Sequence, residues 1–294
     1  MRATPWAMGI AVVLTGTISL TRGDDTGYEL RGPSPTAGQI VISMTTMKID
    51  QAEMAIKAGN QNIKATQTLT STDEQEIKYL AVKDRQVTKV QTKIIREKVQ
   101  TVVNLGGMDK KESKSGDLEG EIIISERTGP AKWKHTLIDT RPTDKQKSEL
   151  EKRLGPENQD ELYPAGQVKI GHTWTVDATA LQRMFGGSIT NLKGKLQMKL
   201  VKTESVNGEP CAVIESAGKI TGVTKEDEST LDVELDLKGT TWRSIQTGLD
   251  VKDKAEGRIK MSGQIKMDGV DLGLTLEGPL TITASSKFKS SKAD

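Results

Sequence analysis

Aromatic residues are scarce in this chain, with 4 Trp, 3 Tyr and 2 Phe among 294 residues. Any core must then be built from Val, Ile, Leu, Met and Ala, and the stacking platforms that single-stranded nucleic acids use are mostly missing. Cysteine is rarer still: Cys211 stands alone, which excludes an internal disulfide and a cysteine-rich metal knot. It lies between a turn and the run Ala212 to Ala217, the place of a small buried hydrophobe rather than a reactive thiol. The only histidines, His135 and His172, fall in different halves and have no His or Cys companions at metal-binding spacing. No G-x-S-x-G, H-E-x-x-H, P-loop or EF-hand loop occurs. The glycine pairs in LGGMD and FGGSI lack the strand-to-helix setting of a phosphate cradle. Adjacent acids, Asp24 with Asp25 and Glu226 with Asp227 and Glu228, read as solvated turns, because a general acid or base needs an apolar setting to move its pKa. The expectation is a non-enzymatic protein with no catalytic, cofactor-binding or metal-binding residues.

Long apolar runs are absent except at the start, where Arg2 precedes the run from Trp6 to Leu20 and small residues lead to Asp24 and Asp25. That run is shorter than the roughly 18 to 20 residues that span a bilayer, and the basic, apolar, small order is that of a secretory signal. Residues 1–23 are read as a signal peptide cleaved after Gly23, with Ser19 as the alternative site and an uncleaved anchor as the rival reading. A secreted or periplasmic protein is expected, with no stable membrane span after cleavage. Cys211 lies far from the signal, so acylation next to the cleavage site is not expected. Cleavage removes Arg2 and Arg22 and takes the formal charge from +2 to 0. Nucleic acid is therefore not expected as a partner on charge grounds, since phosphate neutralisation needs a cationic excess.

What the chain has in abundance is alternation of apolar and polar residues. Ile40, Ile42 and Met44 share one phase while Met47 and Ile49 share the other, which predicts a bulge near Thr45 and Thr46. Ala52 to Ala58 reads as a further strand. From Ile77 to Val103, Ile77, Leu80, Val87 and Ile94 also fit a helical spacing, but the density of Val, Ile and Thr favours two strands. Leu105 to Gly120 reads as a charged mobile loop, and Ile122 to Leu137 as a hairpin carrying Trp133, His135 and Leu137 on one face. Thr143 and Gln146 form a capping box for a helix that Gly155 and Pro156 end. A second short helix is expected over Ala178 to Phe185. The later segments alternate most cleanly: Leu192, Leu196, Met198 and Leu200; Leu231, Val233, Leu235 and Leu237; Ile259, Met261, Ile265 and Met267; Leu272, Leu274 and Leu276, with Asn207-Gly208 as a hairpin turn.

These segments predict a mainly β fold of about ten to thirteen strands. The expected form is a large, strongly curved antiparallel sheet, as a half-barrel, barrel or sandwich, with one or two short helices. Two short helices cannot cover so many apolar strand faces, so the sheet must curve on itself. A single β-rich domain is expected over 24–286. Its halves, 24–142 and 165–286, are joined by a helical linker 143–164, and residues 287–294 form a frayed tail. Trp174 in LYPAGQVKIGHTWTVD is expected to anchor the core where the halves meet.

Pro164, Val168, Gly171 and Trp174, then Val206, Gly208, Cys211 and Val213, and finally Thr247, Gly248 and Leu249 carry a pattern. It resembles that of a family of exported bacterial proteins, a domain of unknown function. The resemblance implies no activity and no site residues. The wrapped sheet is also similar at fold level to the half-barrels of periplasmic lipoprotein carriers. Incomplete closure would leave an apolar trough, and Met44, Met54, Met184, Met198, Met261 and Met267 are the residues that could line it or simply fill the core. A lipid-like ligand or lipidated partner held there is the leading expectation. A structural envelope component that pairs with another envelope protein through exposed strand edges is the alternative.

Overall fold

The computed structural model describes residues 27–130, 132–156, 159–185, 189–226, 229–267 and 270–289. The expected signal segment, Asp24, Asp25, Asp227, Glu228 and residues 290–294 lie outside it. The strands run in order as β1 (Tyr28–Glu29), β2 (Ile40–Ala58), β3 (Gln61–Lys83), β4 (Gln86–Leu105), β5 (Met108–Ser115), β6 (Ile122–Gly129) and β7 (Lys132–Leu137). Helix α1 (Asp144–Lys152) follows, then β8 (Gln167–Val168), β9 (Thr173–Asp177) and a 3-10 helix over Ala178–Phe185. The chain closes with β10 (Ile189–Val206), β11 (Glu209–Glu226), β12 (Ser229–Ser244), β13 (Asp250–Met267) and β14 (Val270–Phe288).

Twelve of the strands form one sheet in the order β7-β6-β4-β3-β2-β14-β13-β12-β11-β10-β9, with β5 extending beyond β6 on the same side of β4. Among the described strands every pairing in it is antiparallel, as expected of strands joined by short turns. The last strand, β14, pairs with the first long one, β2, so one hydrogen-bonded surface runs through both halves. The ends, β7 and β9, do not pair with each other, and the curved sheet stays open. Several strands of 18 to 23 residues span about 60–75 Å at roughly 3.3 Å per residue, well beyond ordinary strand lengths.

Cover for the concave face comes from the chain itself rather than from closure. Leu30, Tyr163, Val168, Val176, Ala178 and Leu181 pack into the face of the later strands, against residues that include Leu200, Ile214, Leu235, Ile259 and Leu280. A second cluster, Ile94, Leu118, Ile123 and Leu150, lies where α1 covers the early strands. The helix begins as expected: Thr143 caps it and the reciprocal capping box with Gln146 is present.

Several expectations are corrected. Pairing runs unbroken through Thr45 and Thr46, and the bulge sits at Asp50 and Gln51, where Gln51 has φ +48°. Val41, Met47 and Ile49 therefore face inward before the bulge, Ala52 does so after it, and Met44 is 38% exposed. Most of Leu105 to Gly120 is not a loop but a hairpin, turned by Gly106 and Gly107 at φ +59° and +87° and continued by β5 to Ser115, with a turn over residues 116–120. All eight residues of β5 are exposed, so no apolar phase marked it in the sequence. Ala178–Phe185 is a 3-10 helix. Residues 287–289 are not frayed: Lys287 and Phe288 pair with Ile42 and Val41, and the Lys289 Nζ lies 2.9 Å from Glu76.

Candidate functional site

Strand register decides what the concave face presents. Asp253 pairs with Ala284, Ala284 with Thr45, Thr45 with Asp73, and Asp73 with Glu97. All five share the inward phase, because Ile259, Leu280, Ile49, Leu69 and, across a one-residue bulge at Ile95, Ile94 lie on that face. One row across β13, β14, β2, β3 and β4 thus carries three carboxyls, and Asp253 and Asp73 stand about 14 Å apart along the sheet at roughly 4.8 Å per strand. The neighbouring row is Ala255, Ile282, Met47, Ser71 and Val99. Met47, Leu69 and Ile282 border the large core without being fully buried, and Thr45 is exposed. Among the described elements, the extended cover lies over β10–β13 and reaches Ile49 and Ala52 of β2, leaving Met47 and Leu69 partly buried.

Each end of the acidic row meets one arginine. At the sealed end Arg243 is 2% exposed and its Nη1 lies 2.7 Å from an Asp250 carboxylate oxygen. Its guanidinium lies 3.7 Å from the centre of the Tyr163 ring, and the Tyr163 hydroxyl donates to Asp250 at 2.9 Å. The Arg243 Nε donates to the Leu30 carbonyl, and the Trp174 indole N–H donates to the Leu162 carbonyl at 2.9 Å. These bonds fasten the covering segments to the sheet. Asp253, beside this group, accepts from the Thr241 hydroxyl at 2.6 Å. Burial, and then the neighbouring Asp250 charge, push its pKa up to about 7 against the pull of Thr241 and Arg243. Burial first and Asp250 second also raise the Tyr163 phenol well above its usual range.

At the open end Arg153, just past α1, donates to the Gln75 side chain at 3.1 Å and faces both Asp73 and Glu97. Burial raises the pKa of Asp73 although Arg153 opposes it. Burial and then the Asp73 charge raise that of Glu97. One cation against two inward carboxyls is the shared arrangement, and in each group burial first, then the neighbouring charges, holds a carboxyl pKa above its ordinary value.

A pocket of about 550 Å³ opens at one end of the face, lined by Glu29, Arg31, Gly32, Pro33, Arg85 and Ile245. Its roof is residues 30–38, which cross from β12 to the β3–β4 turn. Gly32 packs so closely on Thr247 and Gly248 that a Cβ there would stand 2.7 Å from the Gly248 Cα. At the far side Gly38 N–H donates to the Tyr79 carbonyl at 2.8 Å.

The residues singled out in the sequence do not converge. His135 is on β7, and its Nδ1 lies 2.8 Å from the Ser125 Oγ. His172 stacks on Trp174 beside β9, at the opposite edge of the sheet. The Ser125–His135 contact was not legible in the sequence, since it depends on the β6–β7 register. Ser125 is 1% exposed and beyond reach of a substrate, while burial, then Arg153, lowers the His135 pKa. Among the described residues no three His, Cys, Asp or Glu side chains converge as a metal-binding group. Cys211 is fully buried, where burial raises its pKa and its thiol donates to the Glu209 carbonyl. Of the methionines, Met198 is buried in the core and Met261, partly buried, borders it, whereas Met44 points away from it. The side chains of Met184 and Met267 lie outside the described ones. The motif residues have structural roles: Gly248 meets Gly32, Val168 pairs with Tyr28, and the Gly171 N–H donates to the Leu200 carbonyl.

No family model matches the chain, and no curated protein matches it in sequence. Among solved structures, a COG4313 outer membrane channel from Pseudomonas putida is 8% identical, covering 87% of this chain and 97% of its own, with a TM-score of 0.23. The outer membrane protein OprG from Pseudomonas aeruginosa is 10% identical, covering 88% and 99%, with a TM-score of 0.19. A DUF1329 family protein from Desulfovibrio piger is 10% identical, covering 87% and 88%, with a TM-score of 0.12. These likenesses are too slight to carry an argument. Among the described residues no helix is long and apolar enough to cross a membrane, which leaves crossing by strands unaddressed.

Proposed function

We propose that the chain is an exported, non-catalytic protein of the cell envelope that holds an amphipathic, lipid-like guest, or the lipid chain of a partner, on the open part of its concave face. The observation that carries this reading is the incompletely covered patch around Met47, Leu69 and Ile282, which adjoins exposed Thr45 and the inward Asp73. Apolar side chains left part-exposed in a concavity gain free energy when a hydrocarbon chain displaces their water, at roughly 25 cal/mol per Å². Export rests on the leader-like residues 1–23.

Titrating the purified protein with Nile red, a neutral environment-sensitive dye, tests the proposal. Saturable uptake by the native chain, lost in Ser71→Trp with its thermal stability kept, supports it, because Ser71 pairs with Met47 on that face. Absence of uptake, or uptake indifferent to Ser71→Trp, overturns it. The strand-edge alternative has less support. The edges among the described strands include β7, six residues long with exposed Lys132 and Lys134, β5, eight exposed residues with Lys110, Lys111 and Lys114, and β9, five residues long. Short edges, and edges that carry lysine, are poor templates for pairing.

A further inference from the structure

The pocket under residues 30–38 is built unlike the rest of the surface. Two guanidiniums, Arg31 and Arg85, line it against one carboxylate, Glu29. Arg31 spends its Nε on the Tyr163 carbonyl at 3.0 Å, and Arg85 one terminal nitrogen on the Gly32 carbonyl at 3.4 Å. Among the described residues no ion pair joins Glu29 to either arginine, and neither arginine has a carboxylate partner. Elsewhere the inward arginines are matched with acids, as Arg243 is with Asp250 and Arg153 with Asp73 and Glu97.

Arg85 also occupies an unusual backbone position. The two-residue turn between β3 and β4 is Asp84-Arg85, with φ +49° and +63°. Such turns favour Asn or Asp followed by Gly, as in the Asn207-Gly208 turn of this same chain, at +53° and +85°. A long side chain in a left-handed conformation is disfavoured, and such residues cluster where a side chain is needed in a given place. Here the conformation puts a guanidinium on the pocket wall opposite the segment that carries Arg31.

We infer that this pocket binds an oxyanion, a carboxylate or phosphate group, between the forked donors of Arg31 and Arg85. Guanidiniums recognise such groups through paired N–H···O bonds, and their two positive charges exceed the single negative charge of Glu29. The pocket lies at one end of the concave face, between the β3–β4 turn and the end of β12. The site therefore deepens the proposed lipid-binding reading and rests on it for one point only, that the anion is the head of an amphiphile rather than a free ion.

Isothermal titration with inorganic phosphate, dodecyl phosphate and dodecanol, on the native chain and on Arg85→Gly, separates the two ideas. Arg85→Gly relieves the left-handed strain, so its melting temperature is expected to hold or rise, while phosphate and dodecyl phosphate bind about tenfold more weakly. Dodecanol binding is expected to be unchanged. Phosphate binding that depends on Arg85, with no uptake of either alkyl compound, upholds the anion site and removes the lipid reading. Equal binding of both alkyl compounds, insensitive to Arg85→Gly, does the reverse. No phosphate binding in any form, or a melting temperature that falls sharply in Arg85→Gly, overturns the inference, because Arg85 would then serve only to hold Gly32.

Discussion

The early and late halves of the concave face are written in the same alternating pattern but buried differently. Along β10 to β13 the inward residues Leu200, Ile214, Ile220 and Leu235 are at most 2% exposed, because residues 162–181 and Leu30 lie on them. Along β2 and β3 the inward Met47 and Leu69 only border that core. The same contrast holds for charge. Arg243 is sealed with Tyr163 and Asp250, whereas Arg153 meets Asp73 and Glu97 on a half-covered surface. Alternation chooses which face a side chain takes, and cover decides how much stability it then contributes.

The most severe way to test that contrast is to remove each arginine. Arg243→Met leaves the Asp250 charge buried without its partner and frees the Leu30 carbonyl, and is expected to cost about 3–5 kcal/mol in urea unfolding. Arg153→Met is expected to cost about 1 kcal/mol or less, since Asp73 and Glu97 are half-buried rather than sealed. Equal losses would break the distinction between the two ends. Truncation of apolar residues sharpens it at smaller scale. Leu200→Ala removes a fully buried side chain and is expected to cost about 3 kcal/mol, against about 1 kcal/mol for Leu69→Ala.

The remaining contrast is the pH dependence. Asp253 has a folded pKa raised to about 7, above an unfolded value near 3.9. Between those values the folded state holds the extra proton, so the charged form makes the fold progressively less stable as pH rises from about 4 to about 7. The raised pKa values of Asp73 and Glu97 act in the same direction. Asp253→Asn, neutral at every pH, is expected to match the native chain near pH 4 and exceed its stability at pH 8 by about 1–3 kcal/mol, read from denaturation midpoints. A gain of the same size at both pH values would show that packing, and not ionisation, governs the site.

Much of the fold was legible because period-2 patterning carries its own evidence. The strands of the later half, the Asn207-Gly208 turn and the Thr143 cap stand where residue chemistry places them. Patterning failed where both faces meet water, as in β5, and where a single extra residue switched phase, as at Asp50 and Gln51. The site was less legible. Of the methionines that could line a trough or fill the core, Met198 fills the core and Met261 borders it, while the acidic row joins residues from five strands whose register no local pattern states. The one local sign was Arg85 in a turn position that favours glycine, and it acquires meaning only when Arg31 is seen across the pocket.

The amino-acid order by itself determined the strands, their inward phase over most of their length, and the shortage of helical cover, since each follows from neighbours a few residues apart. Tertiary structure alone decided that β14 closes onto β2, that the later half is sealed while the part of β2 and β3 around Met47 and Leu69 is less covered, and that Arg31 meets Arg85. Those outcomes depend on contacts between residues distant in sequence, from Val176 with Leu196 to Leu280 with Ile49, where the energy of packing and pairing, summed over the whole sheet, selects among arrangements that local preference leaves equal.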